Sequence, residues 1–471
     1  MRRLLDSSLA QALKSAAIVI LPVALCPTSA VAACVTVGTT TTCDTAAPNP
    51  FPSTVGSGPA APLGSTVNLL SNAQIVVGNA NALSLADGAT ITLSSGAVLQ
   101  NASTGTGGLY GTGGDTLEFR NNSTLTIAAG AQILSLGTAG NSEAINPEGS
   151  GNLITNNGTI RATNAAAIFF QNTTGLNTVV NNATGVIQTS QASGNVIGGF
   201  GTAAVDFTNR GMVIGNLNFG GGNDILHLFT GSTITGNFDG GGGSNSIFLN
   251  GTGSDSLPGQ IKNFQTLTKT DTGTWTLTGS VVGVTVAEVQ QGTLILTGNN
   301  SLYTGSVIVD PAGTLQGFSG SLPPTVKDNG LVRFAQPSNG TYAGVISGTG
   351  AVTKDGPGTL TLTGLNTYSG GTNFNQGVVA VGADNALGAA GGSLTFNGGA
   401  LRFNNSFNLA PTRAITLNAP GGTIDTQGFT TTISQSMGGA GSLTKAASAR
   451  LLLQRPIPSA AARPSERASC S

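Results

Sequence analysis

Short apolar runs alternate with polar residues along most of the chain, with a period of two. The stretch Gly358 to Thr372, GTLTLTGLNTYSGGT, alternates threonine with leucine and then breaks into glycine, asparagine and serine. Such alternation predicts strands whose leucines face a core, and the Gly/Asn/Ser groups predict turns. This texture continues from about Thr66 to about Lys445 without helical periodicity. The pattern therefore predicts an all-β domain over residues 66–445.

A repeat of glycines indicates that these strands stack as a solenoid. Gly158, Gly185 and Gly211 each precede a strand-like segment, and they step by 27 and 26 residues (185−158 and 211−185). One coil of a parallel β-helix, with three short strands and three turns, uses about that much chain. A single coil cannot bury its inward face, whereas stacked coils can. We predict roughly 15 coils, giving a rod of about 70 Å at about 4.8 Å per coil.

A longer repeat combines a lysine with a strand and a corner. Lys269 and Lys354 each precede the glycine of a Gly-Thr-X-Thr-Leu-Thr-Gly segment by four positions (273−269 and 358−354). Partial copies run from Gly292 to Ser306, GTLILTGNNSLYTGS, and from Gly441, GSLTK. The opening stretch is thus one of several copies, which favours an extended surface over a single active-site loop.

Composition excludes several classes of protein. Only 8% of residues are charged, 71 are glycine and the net charge is −1. Abundant β-branched residues argue against disorder, and the absence of a three-residue glycine period excludes collagen. A nucleic-acid partner is not expected, because the body of the chain has no clustered Lys and Arg to neutralise phosphates.

The N-terminus predicts export. Arg2 and Arg3 precede the apolar run Ala16 to Leu25 and the small residues Ala30-Val31-Ala32, which together are typical of a signal peptide over 1–32. A short buried helix is the alternative. Residues 33–65 form a cysteine loop and a Pro-rich segment or cap.

Two cysteines of the mature chain predict a disulfide. Cys34 and Cys43 flank the octapeptide VTVGTTTT and would enter an oxidising compartment, which favours a small disulfide loop. Lipidation of Cys34 after Val31-Ala32-Ala33 is an alternative. Zinc is not expected with only two thiols and no nearby histidine.

The segment from Gly356 to Thr372 resembles the autotransporter-associated β-strand repeat of type V secreted passenger domains. The looser text NNGTI and GNLNFGGGNDILHLFTGSTITGNF is similar to passenger sequence as well. The resemblance implies a right-handed parallel β-helix displayed at the cell surface, commonly as an adhesin. It also implies a C-terminal outer-membrane translocator barrel as a partner.

The sequence after Lys445 departs from that family. Residues 446–471 contain no Gly, Thr, Asn or aromatic residue, and the repeated strands of a membrane barrel are absent from them. We interpret this tail as frame-shifted. Ile457 lies 12 positions after Lys445, where the turn of the repeat is expected, and codons for Ile457 to Ser465 can encode Asn-Thr-Phe-Ser-Gly-Gly-Thr-Thr-Val one base earlier. A different but genuine tail is the alternative.

Candidate chemistry is sparse. His227 is the only histidine, and no nucleophile motif accompanies it, so a structural role is favoured over a triad. Gly220 to Leu226, GGGNDIL, resembles one calcium-binding nonapeptide. Its companion 21 residues on replaces Asp224 with Asn245, which favours a plain corner.

Sugar chemistry is the main alternative. Glycosidases need two carboxyl groups at one cleft, but the 19 Asp and Glu form no cluster in sequence. Trp275 and Tyr303 sit in repeat positions, where packing is favoured over a role as sugar platforms. The sequence therefore predicts no catalytic, cofactor or metal site.

The sequence favours a non-enzymatic exported passenger, an adhesin or structural β-helix that binds host or matrix surface ligands. It is expected to be truncated before its barrel. The family location is the cell surface, outer membrane or extracellular space, and the truncated chain would stay periplasmic. The alternatives are a polysaccharide-active β-helix enzyme and a non-functional gene fragment.

Overall fold

Parallel strand pairing organises the chain. The computed structural model describes residues 33–104, 114–138, 140–190 and 194–454. Among the strand ladders of these residues, the hairpin of Cys34–Val37 with Thr40–Cys43 is antiparallel and the others are parallel. The chain winds through about 18 turns. The predicted all-β parallel β-helix is confirmed.

Three strand stacks form the faces of the solenoid. The first face begins at the hairpin and continues through Thr66–Leu69, Thr90–Leu93, Thr124–Ile127, Leu153–Asn156, Leu176–Asn181, Ala204–Asn209, Ile225–Phe229, Ser246–Asn250, Thr266–Lys269, Thr325–Asp328 and Val345–Ser347. The long strands Val286–Leu296 and Ser306–Gly317 bend through the first and second faces and pair on both. Near the C-terminal end, Thr431–Ile433 pairs with Leu451–Leu453.

The second and third faces are built from shorter strands. The second comprises Gln74–Val76, Val98–Asn101, Gln132–Ser135, Thr159–Ala162, Val186–Thr189, Met212–Ile214, Thr233–Ile234, Ser254–Leu257, Thr274–Leu277, Leu331–Ala335, Ala351–Asp355, Thr372–Phe374, Leu394–Phe396, Ile415–Leu417 and Met437–Gly438. The third comprises Leu83–Ser84, Leu117–Phe119, Ile145–Pro147, Ile168–Phe170, Asn195–Gly199, Asn216–Asn218, Phe238–Asp239, Ile261–Lys262, Val281–Val282, Gly340–Tyr342, Thr359–Leu362, Val378–Val381, Ala400–Phe403, Gly422–Asp425 and Leu443–Ala446. Two short 3-10 helices occur in the described residues, Gly58–Ala60 and Asp384–Leu387.

Alternation places one apolar set inside each coil. Leu360 and Leu362 of the opening stretch are fully buried, whereas Thr359 and Thr361 point outward. Every coil adds its own inward residues to one continuous core. Because strand side chains alternate between faces, the threonines cover the outside while the leucines pack against the coils above and below.

The glycines that step along the sequence also stack in space. The strands that follow Gly158, Gly185 and Gly211 pair in one ladder. A side chain at Gly211 would place its Cβ 2.2 Å from the carbonyl oxygen of Gly185, so no larger residue fits this corner. The glycine step therefore equals one coil.

A ladder of buried asparagines lies beside these glycines. Asn156 donates its amide to Asn181, and Asn181 donates to Asn209, each over 2.8 Å. All three are inaccessible to solvent. Each amide satisfies the next, so the interior tolerates these polar groups.

The ends of the described chain carry distinct features. A disulfide joins Cys34 to Cys43 across the hairpin, and Thr40–Cys43 pairs with Thr66–Leu69 of the first coil. At the other end, the pairing of Leu451–Leu453 continues beyond Lys445, where the sequence analysis expected the solenoid to stop. The signal-peptide prediction rests on residues 1–32, and most of the frame-shift interpretation rests on residues 455–471, which lie outside the described residues. The lipidation alternative concerns Cys34, whose sulfur is bonded to Cys43 in the structure. Within the described ranges, no helix has the length and apolar character needed to cross a membrane.

Candidate functional site

The lysine of the longer repeat is a buried structural element. Lys354 is 1% exposed, and its ammonium donates to the carbonyl oxygens of Asp355 and Gly356 at 2.8 and 2.7 Å. It also donates to the carbonyl of Gln376, one coil further on, at 3.1 Å. Burial lowers the pKa of Lys354 to about 8, and the nearby Asp355 opposes that shift. The corresponding acceptors are the carbonyls of Asp271 and Gln291 for Lys269, and of Ala446 and Ala447 for Lys445.

The asparagine and tyrosine of the same repeat also act inside the fold. Asn366 accepts the backbone N–H of Ile346 at 2.8 Å and donates to the carbonyl of Ala386 at 2.7 Å. It thereby joins the coils on both sides. Tyr368 is fully buried, and its hydroxyl lies 2.7 Å from the Thr372 hydroxyl. Asn366 and Tyr368 of the motif therefore serve the scaffold.

Two aromatic residues of the repeat are likewise internal. Trp275 is inaccessible, and its indole N–H donates to the carbonyl of Asn250 at 3.0 Å. Tyr303 is 3% exposed, and its hydroxyl donates to the carbonyl of Ser306 at 3.1 Å. Both side chains pack within the core, so neither can serve as a platform for a sugar.

His227 lies on the outward side of the first face. Its ring stacks on Phe248, with centroids 4.8 Å apart and planes 14° apart. Its Nε2 lies 3.9 Å from a carboxylate oxygen of Asp206. Among the described residues no serine hydroxyl forms a hydrogen bond with this ring, so the geometry supplies no activated nucleophile.

The glycine-rich corner at Asp224 uses its polar groups for backbone capping. Asp224 accepts the N–H of Val205 at 2.7 Å, and Asn245 accepts the N–H of Asp224 at 2.8 Å. The Asn245 amide also donates to the carbonyls of Gly240 and Gly242. Burial raises the pKa of Asp224 to about 6. Within the described chain no three His, Cys, Asp or Glu side chains converge in a way that could hold a metal ion.

Four acidic residues converge on the third face. Asp115 and Glu118 come from one coil, and Glu143 and Glu148 come from the next. The backbone N–H of Glu143 donates to a carboxylate oxygen of Asp115 at 3.0 Å, and the carboxyl groups of Glu148 and Glu118 lie close enough to interact. We call these four residues the acid cluster. Such convergence is unusual in a chain whose charged residues amount to 8%.

Neighbouring coils hold the acid cluster in place. Glu118 accepts from the Asn81 amide at 2.6 Å and from the Ser84 hydroxyl at 2.8 Å, both in the preceding coil. Arg120 forms an ion pair with Glu148 of the following coil. The cluster is therefore built across three coils.

Burial raises the pKa of three acids in the cluster. The pKa of Glu143 is raised to about 9, chiefly by burial and then by Asp115. The pKa of Glu148 is raised to about 8, chiefly by burial and then by Glu118, while Arg120 opposes the shift. Burial also raises the pKa of Asp115. A proton on Glu143 relieves the repulsion between its carboxyl group and that of Asp115.

An exposed aromatic pair adjoins the acid cluster on the same face. Phe200 is 89% exposed, and its ring lies 5.0 Å from that of Phe169 in an edge-to-face arrangement. Pairing aligns Phe169 with Gly198 and Ile145 with Ile168, so Phe169 stands one coil beyond Asn146. Gln171 donates to Asn146 at 3.2 Å and connects the aromatic pair to the polar side.

Sequence reasoning missed this region for a physical reason. The paired acids of adjacent coils lie 28 and 30 residues apart along the chain, at Asp115 to Glu143 and Glu118 to Glu148 (143−115 and 148−118). The coil length varies there, so the positions that stack cannot be aligned by a fixed period. Only the three-dimensional register brings the acids together.

Comparison with known proteins gives two matches. The passenger-associated-transport-repeat family matches residues 267–281, 291–316 and 352–381. These ranges contain Lys269, Lys354 and Tyr368, which are internal scaffold residues. A curated relative, the adhesin BmaC autotransporter of Brucella suis biovar 1 (strain 1330), is 33% identical over 142 residues. The match covers 30% of this chain and 4% of that much longer relative. No solved structure matches the chain.

Proposed function

Because this chain is an autotransporter passenger sequence with passenger-associated transport repeats, we propose that it acts as a non-enzymatic surface adhesin or structural β-helix. The observation that carries the proposal is the solenoid itself. The characteristic side chains of its repeat motifs lie inside the coils. The outer surface is extended and consists of threonine, serine and asparagine. A rod of this kind contacts a partner over many coils, as other solenoid proteins do.

The export route follows from the same proposal. Residues 1–32 would direct the chain out of the cytoplasm, and an outer-membrane translocator would carry it to the cell surface. The Cys34–Cys43 pair suits an oxidising compartment. Host or matrix surface molecules are the proposed partners.

The acid cluster supports a second candidate, a polysaccharide-active enzyme. Glycoside hydrolysis needs a carboxylic acid that keeps its proton near neutral pH and a second carboxyl group nearby. Glu143 and Glu148 keep protons and stand beside Asp115 and Glu118. The burial of Glu143 and the ion pair of Glu148 with Arg120 argue against direct attack on a substrate. The adhesin proposal is therefore preferred.

One experiment separates the two functions. Residues 33–471 are displayed on bacteria through a heterologous autotransporter translocator, with the empty translocator as control. We expect the displayed chain to raise adherence to immobilised matrix proteins or epithelial cells. Release of reducing sugar ends from soluble polysaccharides, abolished by Glu143→Gln, would instead establish the enzyme and overturn the adhesin.

A further inference from the structure

The outward residues of the third face form one continuous patch beside the acid cluster. We define the third-face patch as Arg120, Glu148, Phe169, Gln171 and Phe200; the buried Asn146 accepts a hydrogen bond from Gln171. Phe119 pairs with Pro147, and Phe170 pairs with Gly199. The residues one position further, Arg120, Glu148 and Phe200, therefore follow one line parallel to the solenoid axis. From Glu148 to Phe200 this line crosses two coil steps, about 10 Å at the usual strand spacing.

The patch combines an apolar surface with oriented polar groups. The ring of Phe200 is almost entirely open to solvent, and Phe169 supports its edge. Gln171 is exposed, and its amide is oriented by the hydrogen bond to Asn146. Glu148 holds the Arg120 guanidinium, which is about one-fifth exposed. Donors and acceptors thus stand at fixed positions next to an aromatic ring.

A buried polar atom beside the acid cluster has no partner. Asn81 is 6% exposed, and its amide nitrogen donates to Glu118 in the acid cluster. Its carbonyl oxygen is buried without a hydrogen bond. An orphaned buried acceptor of this kind is destabilising, and such groups are rare in folded proteins. It marks the third face as a region where stability is not the only constraint.

The charge balance of the region narrows the ligand class. The charged groups of the patch are paired with each other, since Arg120 forms an ion pair with Glu148, and the exposed Phe200 and Gln171 carry no charge. An anionic ligand would meet the remaining carboxylates, and a cationic ligand would meet Arg120. A neutral ligand that has both an apolar face and hydroxyl groups avoids both penalties. Sugars satisfy this requirement, because a pyranose ring can lie on an aromatic side chain while its hydroxyls bond to polar groups.

We propose that the third-face patch binds a neutral oligosaccharide, with one sugar ring on Phe200 and neighbouring hydroxyls on Gln171 and Arg120. This inference deepens the adhesin proposal and rests on it, since it names the chemical class of the surface ligand. The acid cluster acts beneath the patch by holding Asn146 and Arg120 in position.

The test is affinity electrophoresis of purified residues 33–471 in gels that contain defined polysaccharides. The neutral probes are hydroxyethyl cellulose, xylan and galactomannan, and the anionic probe is polygalacturonate. We expect retardation by at least one neutral polymer and none by polygalacturonate. Phe200→Ala should weaken the binding at least tenfold, and Gln171→Ala should weaken it several-fold. Phe248→Ala, which removes an outward aromatic ring from the first face, is the matched control and should bind as the parent chain does.

The outcomes separate the site from the proposed function. Far-ultraviolet circular dichroism checks that each variant keeps its β-structure. Absence of retardation by every neutral polymer, or equal retardation of Phe200→Ala and the parent chain, overturns the saccharide site. If the displayed chain still adheres to cells and Phe200→Ala adheres equally, the adhesin survives and the site is lost. If the purified chain binds a glycan through Phe200 but the displayed chain adheres to nothing, the site stands and the adhesin falls.

Discussion

The N-terminal and C-terminal coils of the solenoid differ in length and in the side-chain hydrogen bonds that join one coil to the next. Hydrogen-bonded side chains of adjacent coils are 34, 25 and 28 residues apart at Ser84–Glu118, Asn156–Asn181 and Asn181–Asn209. From Asn245 to Asn366 the corresponding separation is near 20, as at Ile346–Asn366, and it lengthens to between 22 and 29 nearer the C-terminal end. Short coils explain why the structure has about 18 turns instead of the roughly 15 expected.

The short coils and the long coils therefore use the same β-helix fold in different ways. The short coils are joined by a recurring set of buried hydrogen-bonding residues, including Lys354, Asn366 and Tyr368. All three ranges that match the repeat family lie in these coils. The long coils carry the asparagine ladder, the acid cluster and the third-face patch. Regular coils supply a recognisable scaffold, whereas irregular coils have the extra chain with which to build an individual surface.

The largest effect is expected from the core of the short coils. Trp275→Ala removes the largest fully buried side chain and its hydrogen bond to Asn250. We expect the free energy of unfolding to fall by about 4 kcal/mol. Because solenoid coils contact mainly their neighbours, hydrogen exchange should accelerate first in residues 246–317. Leu302→Ala, at a site 69% exposed, is the control and should change stability by less than about 0.5 kcal/mol. Uniform acceleration along the chain would show that the two regions form one cooperative unit.

A somewhat smaller effect is expected from the buried lysine. Lys354→Met keeps the length of the side chain but leaves three carbonyl oxygens without their donor. Loss of these charge-assisted bonds should lower the unfolding free energy by about 3 kcal/mol. Urea unfolding measures the change, with the exposed Lys327→Met on a neighbouring coil as control. Equal stability of both variants would mean that the lysine is dispensable.

The asparagine ladder gives the corresponding test in the long coils. Asn181→Ala breaks the bonds to Asn156 and Asn209 and leaves buried amides unpaired. We expect a loss of about 2 kcal/mol, confined to the long coils. The outward-facing Asn68→Ala should be nearly neutral. Limited proteolysis with fragment mapping reports where the chain opens, and cleavage among the short coils would contradict the comparison.

The smallest effect is expected from pH, and its sign should differ between the two regions. Glu143 and Glu148 have folded-state pKa values raised to about 9 and 8. The stability that protonated Glu143 and Glu148 give to the folded chain is fully present below the pKa of the unfolded chain. It is lost as the pH rises through the pKa of the folded chain. The long coils should therefore weaken between about pH 5 and pH 9.

The lysine acts in the opposite direction. The pKa of Lys354 is lowered to about 8 in the folded chain. The unfolded chain then holds the extra proton between about pH 8 and the normal lysine pKa, so the short coils gain stability over that window. Glu143→Gln should flatten the first trend by on the order of 1 kcal/mol and leave the second unchanged. Proteolytic fragment mapping at pH 6 and pH 9 measures both, and parallel trends in the two regions would refute the assignment.

Most of the fold could be predicted from the sequence, but little of the candidate site could. Alternation in GTLTLTG fixes which residues are buried, and the glycine step at Gly158, Gly185 and Gly211 fixes the coil length, since both are local or periodic signals. The role of Lys354 as an internal donor is invisible in sequence, because a lysine normally faces water. The acid cluster escapes detection since its pairs depend on long-range register in coils of unequal length.

The coil-by-coil pairing of strands also determines how the rod would respond to force. A pull on one end loads the outermost coil first, because each strand bonds only to strands one turn away. Coils would unfold one at a time, and each would lengthen the extended chain by its own residues. The ladder between Val286–Leu296 and Ser306–Gly317 is the longest in the described chain. This ladder would be the last to separate under force. A surface rod built in this way would therefore unfold gradually under shear, and unfolding would stop near its middle.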